Sequence, residues 1–185
     1  MVLTHTPVCD FGAAAPDFQL PGIDGTTWSR ADCLGSQGLL VMFICNHCPY
    51  VRAINHKLVR DTTALIELGI GCVAIMPNDT RAYPEDDLPH MQAVARQQGY
   101  PFPYLIDESQ QVTRAFGAVC TPDFFGYNAA LELQYRGRLD EGGSRQGFDL
   151  ARPELYLAMQ AVAATGKGPA EQIPSMGCSI KWRSQ

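Results

Sequence analysis

A run of six apolar residues at 39–44 (LLVMFI) is the feature that most constrains how this chain folds. The run lies between Gly38 and a pair of cysteines. A continuous apolar run of this length is typical of a strand buried on both faces, as in a parallel sheet. It therefore predicts a buried strand that is covered on both sides.

The rest of the chain alternates between strand and helix patterns. The predicted elements begin with a hairpin of Pro16–Leu20 and Thr26–Ser29 around a turn at 22–25, the buried strand, and a helix with apolar residues from Val51 to Leu68 that ends at Gly69 and Gly71. A strand at Cys72–Met76, a loop at Asn78–Pro89, a helix to about Gln98 and a strand at Pro103–Ile106 follow. The last predicted elements are a helix that Ser109 caps and that runs to Ala115 and stops at Gly117, a hairpin of Asp123–Tyr127 and Leu131–Tyr135, and a helix at Leu150–Ala164. This order predicts an α/β fold, with a central mixed β-sheet flanked by helices and an N-terminal β-hairpin.

Length and composition predict one domain over residues 1–185, with a core from about 16 to 164. The chain has 185 residues, of which 46% are hydrophobic, which is enough for a sizeable core. The segment 165–185 is rich in Pro and Gly. We expect it to be either a C-terminal arm wrapped on the domain or a disordered tail.

Charge and hydropathy argue against several partners. The net charge is −5 and no basic block occurs, so nucleic acid and anionic membrane surfaces are not expected partners. No stretch of about 18 apolar residues predicts a membrane span, and the chain start lacks a secretory signal pattern. The seven cysteines are odd in number and scattered, unlike a secreted disulfide framework. These features predict a cytoplasmic protein.

The motif Cys45-Asn46-His47-Cys48-Pro49 stands where the buried strand ends and a helix begins. Backbone N–H groups are unpaired at a helix N-terminus, and the helix dipole favours negative charge there. A cysteine at this place has its pKa lowered, and two intervening residues allow a reversible disulfide. Pro49 suits a first helical turn. The motif therefore predicts redox chemistry at Cys45 and Cys48.

His47 has two interpretations. A protonated imidazole would favour the thiolate of Cys45 and make the couple a stronger oxidant. Alternatively, His47 is a solvated loop residue. The cysteine pair also has alternatives: a zinc half-site, which would need a second ligand pair that the sequence lacks, or two inert core thiols.

A second motif, Cys120-Thr121-Pro122, precedes the late hairpin. With both motifs, the chain resembles the thioredoxin-like superfamily, and within it the redoxin group related to alkyl hydroperoxide reductase and thiol-specific antioxidant proteins (AhpC/TSA). The resemblance covers about 16–164. The segments LLVMFICNHCPYV and GCSIKW resemble a small bacterial branch described only as thioredoxin family proteins. The resemblance implies that Pro122 is a cis-proline facing the cysteine pair, and that the backbone at Thr121 pairs with substrate.

The chain departs from well-known members of this superfamily. Ile44 stands where thioredoxin has Trp, and Asn46-His47 replaces its Gly-Pro dipeptide. The Pro-x3-Thr-x2-Cys signature of peroxiredoxins is matched neither ending at Cys45 nor ending at Cys48. A dedicated peroxidase is therefore less favoured, although Cys48-Pro49 is similar to the Cys-Pro of peroxiredoxins.

Two further cysteines are candidates for a third thiol. Cys120 is favoured, because Pro122 would bring it near the pair. Cys178, in the tail, could resolve the pair or bridge two chains, but a structural thiol anchored by Trp182 is the favoured interpretation. Arg136 or Arg138, which flank Gly137, could stabilise a thiolate, although solvation at the surface is favoured. The acidic runs Glu85-Asp86-Asp87 and Asp107-Glu108 are expected to be solvated, and the first of them could cap a helix.

Three functions are consistent with these residues. The first is a dithiol–disulfide oxidoreductase in which the Cys45 thiolate attacks and the more buried Cys48 resolves. The second is a thiol peroxidase that passes through a sulfenic acid. The third is a Cu(I) carrier that uses Cys45, Cys48 and His47, with Cys120 as a further ligand. The first function is favoured, with a redox-active disulfide in place of any cofactor or metal. The expected partners are protein or small-molecule thiols and disulfides, or peroxides. The expected assembly is a monomer or a homodimer.

Overall fold

The computed structural model describes residues 3–143 and 151–183. The strands are β1 (Leu3–His5), β2 (Gln19–Pro21), β3 (Thr27–Ser29), β4 (Gly38–Phe43), β5 (Ile70–Met76), β6 (Tyr104–Ile106), β7 (Cys120–Thr121), β8 (Asp123–Asn128), β9 (Leu133–Tyr135) and β10 (Met176–Ser179). The helices are α1 (Arg30–Cys33), α2 (Pro49–Glu67), α3 (Leu88–Gln98), α4 (Gln111–Phe116) and α5 (Glu154–Thr165), and a short 3-10 turn spans Pro84–Asp86.

The central sheet is mixed, as the sequence predicts. Strand β8 pairs antiparallel with both β4 and β9, whereas β5 pairs parallel with β6. Strands β4 and β5 lie side by side, and the N–H of Ile44 donates to the carbonyl of Ile75. The N-terminal hairpin is also confirmed, with β2 antiparallel to β3. The carboxyl ends of β4 and β5 therefore lie at one edge of the sheet.

The apolar run 39–44 is buried on both faces of this sheet. Alternate residues of β4 belong to two different clusters of the core, because successive side chains of a strand point to opposite faces. Leu40 and Met42 pack with α2 and α5, whereas Val41 and Phe43 pack with Phe116 of α4. This two-sided burial explains why the run contains no polar residue.

Helix α2 places the cysteine motif at the edge of the sheet. Its buried residues include Val51, Leu58 and Leu65, which form one apolar face. Cys48 is the N-cap and Pro49 is the first helical residue, where its missing N–H costs no hydrogen bond. Gly69, with φ +84°, lets the chain reverse immediately after the helix.

The C-terminal segment is a wrapped arm rather than a disordered tail. Strand β10 pairs antiparallel with β1 on one side and with β7 on the other, in a separate three-stranded sheet. Cys178 lies opposite Leu3 and opposite Thr121 in this register. The arm therefore runs directly beside the strand that leads into Pro122.

Strands β2, β5 and β9 begin two or three residues away from their predicted starts, and two helices also begin at other residues than predicted. Helix α3 begins at Leu88, so Pro89 lies in its first turn rather than in a loop, because Asp87 accepts a hydrogen bond from the His90 N–H at 3.1 Å. Helix α4 begins at Gln111, after Gln110 in the left-handed region. The Ser109 hydroxyl does contact the Gln111 N–H at 3.2 Å.

The last helix, predicted from Leu150, is seen from Glu154, and position 150 lies outside the described residues. Among the described residues, no helix combines the length and the apolar character that crossing a bilayer requires.

Candidate active site

Cys45 and Cys48 lie together at the N-terminal end of α2, and both are buried. Cys45 follows β4 and is 1% exposed, whereas the N-cap Cys48 is 0% exposed. Cys48 was expected to be the more buried of the two, and the two exposures differ by only 1%. Neither sulfur reaches solvent directly in this state of the molecule.

Thr121 and Pro122 face the pair from the other side. The Thr121–Pro122 peptide bond is cis, as the resemblance implied. The hydroxyl of Thr121 lies 3.3 Å from the sulfur of Cys45, and its carbonyl accepts a hydrogen bond from the Cys48 thiol at 3.1 Å. One residue of β7 thus contacts both sulfurs. Its strand edge is already paired with β10.

The two thiols form a coupled pair in which Cys48 ionises first. The hydrogen bond from Cys45 is the largest of the effects that lower the pKa of Cys48 to about 5. The Thr121 hydroxyl, the Val51 N–H and the Cys178 thiol lower it further, against the effect of burial. Since Val51 lies in the first turn of α2, the unpaired amides of the helix start act on Cys48.

The pKa of Cys45 shifts in the opposite direction, upwards. Its hydrogen bond to Cys48, its burial and the charge of Asp86 raise the pKa of Cys45 well above the ordinary value. The sequence predicted that Cys45 would be the acidic thiol, and this order is reversed in the structure. The main physical reason is the hydrogen bond in which the Cys45 thiol donates to Cys48, and the Thr121 hydroxyl and the Val51 N–H at the start of α2 add to it.

Asp86 is a central site residue that sequence reasoning missed. It was expected to be solvated, yet it is 0% exposed. Its carboxylate accepts hydrogen bonds from the backbone N–H groups of Asn46 (2.8 Å) and His47 (3.2 Å), and from the Asn78 side chain (2.8 Å). It also pairs with Nδ1 of His47 at 2.7 Å. The carboxylate therefore accepts the hydrogen bonds of both backbone N–H groups that follow Cys45.

His47 is not a solvated loop residue, but its charge is largely neutralised. The hydrogen bond to Asp86 raises the pKa of His47, and the ring stacks on Tyr83 at 5.3 Å between centroids. Because the imidazolium would be paired with a buried carboxylate, the pair adds little net positive charge near Cys45. The side chain of Asn46 also belongs to this network, through the carbonyl of Glu85 (3.0 Å).

A topological signal for Asp86 was available in the sequence. In open α/β sheets, side chains from the loops after neighbouring parallel strands meet at the carboxyl edge. Cys45 follows β4, and the loop that carries Asp86 follows β5. The acidic run was interpreted from its composition alone, and composition does not show which member of the run turns inward.

The structure brings Cys178, rather than Cys120, to the pair. The sulfur of Cys178 lies 3.2 Å from the sulfur of Cys48, and Cys178 is 2% exposed. The sulfur of Cys120 instead contacts the Pro122 carbonyl at 3.6 Å, and burial raises the pKa of Cys120. Trp182 packs under the guanidinium of Arg114, 4.1 Å from the ring centroid.

Two more expectations of solvation are wrong. Arg136 is 8% exposed and pairs with the buried Asp123 at 3.1 Å. Asp107 is fully buried, because its carboxylate accepts hydrogen bonds from the backbone N–H and the hydroxyl of Thr113, both at 2.7 Å. It therefore helps to fix the start of α4.

Cys45, His47 and Asp86 offer one ligand atom each within 4.8 Å of one another. A soft thiolate, a borderline imidazole and a hard carboxylate are a mixed set, which suits Zn²⁺ better than Cu(I). The soft set expected for a copper carrier included Cys120, which belongs to no such cluster among the described residues. The donor chemistry thus gives the copper hypothesis no support.

Comparison with known proteins places these features in context. A sequence model of the AhpC/TSA family matches residues 11–141. No curated protein sequence matches the chain. An uncharacterized conserved protein from Geobacillus kaustophilus is 39% identical, with a TM-score of 0.94, over 100% of this chain and 98% of its own. A hypothetical protein from Sinorhizobium meliloti is 38% identical, with a TM-score of 0.93, over 98% of this chain and 100% of its own.

More distant structures share the fold alone. A peroxidoxin from Mycobacterium tuberculosis is 15% identical, with a TM-score of 0.61, over 83% of this chain and 96% of its own. A thiol:disulfide interchange protein of the thioredoxin family from Chlorobium tepidum is 22% identical, with a TM-score of 0.57, over 68% of this chain and 84% of its own. These likenesses confirm the predicted thioredoxin-like fold.

Proposed function

The chain belongs to the AhpC/TSA family, and we propose that within it this protein is a thiol–disulfide oxidoreductase whose Cys45 and Cys48 cycle between dithiol and disulfide. The observation that carries the proposal is that both sulfurs meet at one residue, Thr121, at the start of α2. The Thr121 hydroxyl lies 3.3 Å from the Cys45 sulfur, and its carbonyl lies 3.1 Å from the Cys48 sulfur.

The pair supplies both thiols that disulfide exchange needs. The Cys48 thiolate attacks one sulfur of a substrate disulfide, forms a mixed disulfide and releases the first substrate thiolate. Cys45 then loses its proton to the departing sulfur and attacks Cys48, which forms the Cys45–Cys48 disulfide and releases the second substrate thiol. Two electrons pass from the protein to the substrate, and the reverse sequence oxidises a substrate dithiol.

The surrounding residues position this chemistry. Pro49 fixes the first turn of α2, and Pro122 holds Thr121 against both sulfurs. The buried carboxylate of Asp86 accepts hydrogen bonds from the backbone N–H groups of Asn46 and His47, and these bonds fix the loop between the cysteines. Because this carboxylate also disfavours a second negative charge, the pair keeps one proton on Cys45.

The test is the reduction of insulin disulfides by dithiothreitol in the presence of the protein. We expect wild type to accelerate the reaction and Cys48→Ser to abolish the acceleration. Cys33→Ser is the matched control, since Cys33 is a buried thiol of α1 in the opposite core cluster. Equal rates for wild type and Cys48→Ser would refute the proposal.

A thiol peroxidase is the second candidate, and the acidity of Cys48 favours it. A peroxide would oxidise the Cys48 thiolate to a sulfenic acid and release water or an alcohol, and Cys45 would then displace a second water to form the disulfide. Cys48→Ser should abolish hydrogen peroxide consumption, whereas Cys45→Ser should retain one turnover. No consumption by wild type would exclude this activity.

The cellular context stays a prediction. The cytoplasmic location, the electron donor and the monomeric or dimeric state are expectations from the sequence. We propose a reducing compartment, because buried thiols such as Cys72, whose pKa burial raises to about 12, serve there as small apolar residues.

A further inference from the structure

The pairing of β10 holds Cys178 in a fixed position beside the cysteine pair. Strand β10 is hydrogen-bonded on both edges, to β1 and to β7, and this pairing fixes Cys178 opposite Thr121. Thr121 is also the residue that contacts Cys45 and Cys48. One backbone position therefore sets the places of all three sulfurs.

Cys48 is the central sulfur of this group. It is hydrogen-bonded to Cys45 on one side and lies 3.2 Å from the sulfur of Cys178 on the other. A disulfide has an S–S distance of about 2.05 Å, so closing a bond between Cys48 and Cys178 requires an approach of only about 1.2 Å. Movement of this size is within the reach of side-chain adjustment.

Cys178 also lies where a substrate of the cysteine pair is expected to bind, at the edge of β7. The resemblance to the thioredoxin-like superfamily implies that the backbone at Thr121, just before the cis-proline, pairs with substrate. Here β10 already occupies the edge of β7. The arm therefore presents a thiol of the chain itself where a substrate thiol would stand.

We propose that Cys178 is a third catalytic thiol, which exchanges with Cys48 and so competes with Cys45 as the resolving group. This inference rests on the proposed dithiol–disulfide function. In the exchange, the Cys178 thiolate attacks the Cys48 sulfur of the Cys45–Cys48 disulfide, the Cys48–Cys178 bond forms, and Cys45 leaves as the thiolate.

This exchange conserves bonds, protons and electrons within the chain. One S–S bond breaks and another forms, the proton lost by Cys178 is taken up by Cys45, and no external oxidant is consumed. In the reduced protein the Cys178 thiol is kept protonated by burial and by the neighbouring Cys48 thiolate, which raise its pKa to about 12. Oxidation of Cys48 removes that neighbouring charge, so that Cys178 ionises more easily once the pair has been oxidised.

The experiment uses the full chain and oxidised glutathione as the probe. Cys45→Ser, Cys45→Ser/Cys178→Ser and the matched control Cys45→Ser/Cys120→Ser are incubated with it, quenched in acid, alkylated and mapped by mass spectrometry. We expect Cys45→Ser to form the Cys48–Cys178 disulfide and to accumulate little glutathione adduct. The control should behave in the same way, whereas the Cys178 double variant should retain glutathione on Cys48.

The outcomes separate the two proposals. Equal glutathione adduct in Cys45→Ser and in Cys45→Ser/Cys178→Ser would overturn the role of Cys178 and leave the proposed function intact. Absence of any adduct on Cys48 in the double variant, together with absence of a Cys45–Cys48 disulfide in wild type, would overturn the proposed function itself. Circular dichroism of each variant, with Cys178→Ala as an alternative to Ser, checks that the variants are folded.

Discussion

At the scale of single residues, the chemistry depends on how two neighbouring sulfurs share one proton. Cys48 has the amide of Val51 and the hydroxyl of Thr121 beside it, whereas Cys45 has the carboxylate of Asp86 nearby. Local sequence indicated a reactive pair but not the order of acidities, because that order depends on the hydrogen bond between the two thiols, on burial and on Asp86, which lies 41 positions from Cys45 along the chain.

The acidity of Cys48 gives a direct spectroscopic prediction. The absorbance of the thiolate near 240 nm should rise with pH around a midpoint of about 5. The rise should be lost in Cys48→Ser, and it should move to higher pH in Cys45→Ala, because the hydrogen bond from Cys45 is the largest effect that lowers the pKa. A midpoint near 8.5 in wild type, the ordinary value for a cysteine, would contradict this assignment.

The same shift links stability to pH. The pKa of Cys48 is depressed on folding, so its contribution to stability is complete above the unfolded value of about 8.5. That contribution is lost as the pH falls through the folded value of about 5. The difference in unfolding free energy between wild type and Cys48→Ser, measured in urea, should therefore grow from pH 5 to pH 9.

Asp86 gives a second prediction at this scale. Asp86→Ala leaves buried N–H groups without acceptors, so it should lower the unfolding free energy by about 3 kcal/mol. The pKa of His47, followed by NMR, should also fall, because the hydrogen bond to Asp86 is the main cause that raises it. The adjacent Asp87→Ala removes a helix cap and a pair with His90 at the surface, so it should cost much less than Asp86→Ala. Similar losses in the two variants, with the His47 pKa unchanged, would contradict the role of Asp86.

At the scale of elements, the sequence predicts most of the fold because its strongest signals are local. The run 39–44 and the apolar face of α2 have unmistakable periods, and both elements are found close to the predicted bounds. The short strands β1, β7 and β10 were not predicted, because two to four residues carry little periodicity. Their pairing is set by tertiary contacts between the two ends of the chain.

The docking of β10 on β7 can be tested at Gly177. A Cβ atom at this position would overlap the carbonyl oxygen of Thr121, so Gly177→Ala should loosen the arm. We expect alkylation of Cys48 by iodoacetamide to become about tenfold faster, which corresponds to ~1.4 kcal/mol of lost docking free energy. Met176→Ala, at a more exposed position of the same strand, is the control and should leave the rate unchanged. An unchanged rate in Gly177→Ala would show that the arm does not shield the pair.

At the scale of the whole molecule, distant segments are held together by buried ion pairs. Lys57 of α2 and Asp140, in the loop after β9, are 2% and 1% exposed and lie 2.8 Å apart. The sequence does not predict such a pair, since a lysine within an amphipathic helix is normally solvated. The pair fixes the loop after β9 against the helix that carries the cysteines.

Breaking this pair should be costly. Asp140→Ala leaves the Lys57 charge buried without its partner, so the unfolding free energy should fall by about 3–5 kcal/mol. The more exposed pair of Arg138 and Glu154 is the control, and Glu154→Ala should cost at most about 1 kcal/mol. Urea unfolding of both variants checks the prediction. Equal losses would show that burial does not set the strength of these pairs.

The account as a whole depends on Cys45 and Cys48 being one reversible two-electron couple. The most direct test is a redox titration of the full chain in thiol–disulfide buffers, with acid quenching, alkylation and mass spectrometry of each cysteine. We predict that Cys48 loses its reactivity to alkylation together with Cys45 or, where Cys178 has exchanged, together with Cys178, in one disulfide that contains Cys48, at a potential between about −270 and −120 mV. Alkylation of both cysteines as thiols throughout that range, or oxidation of one without a disulfide to Cys48, would contradict the account.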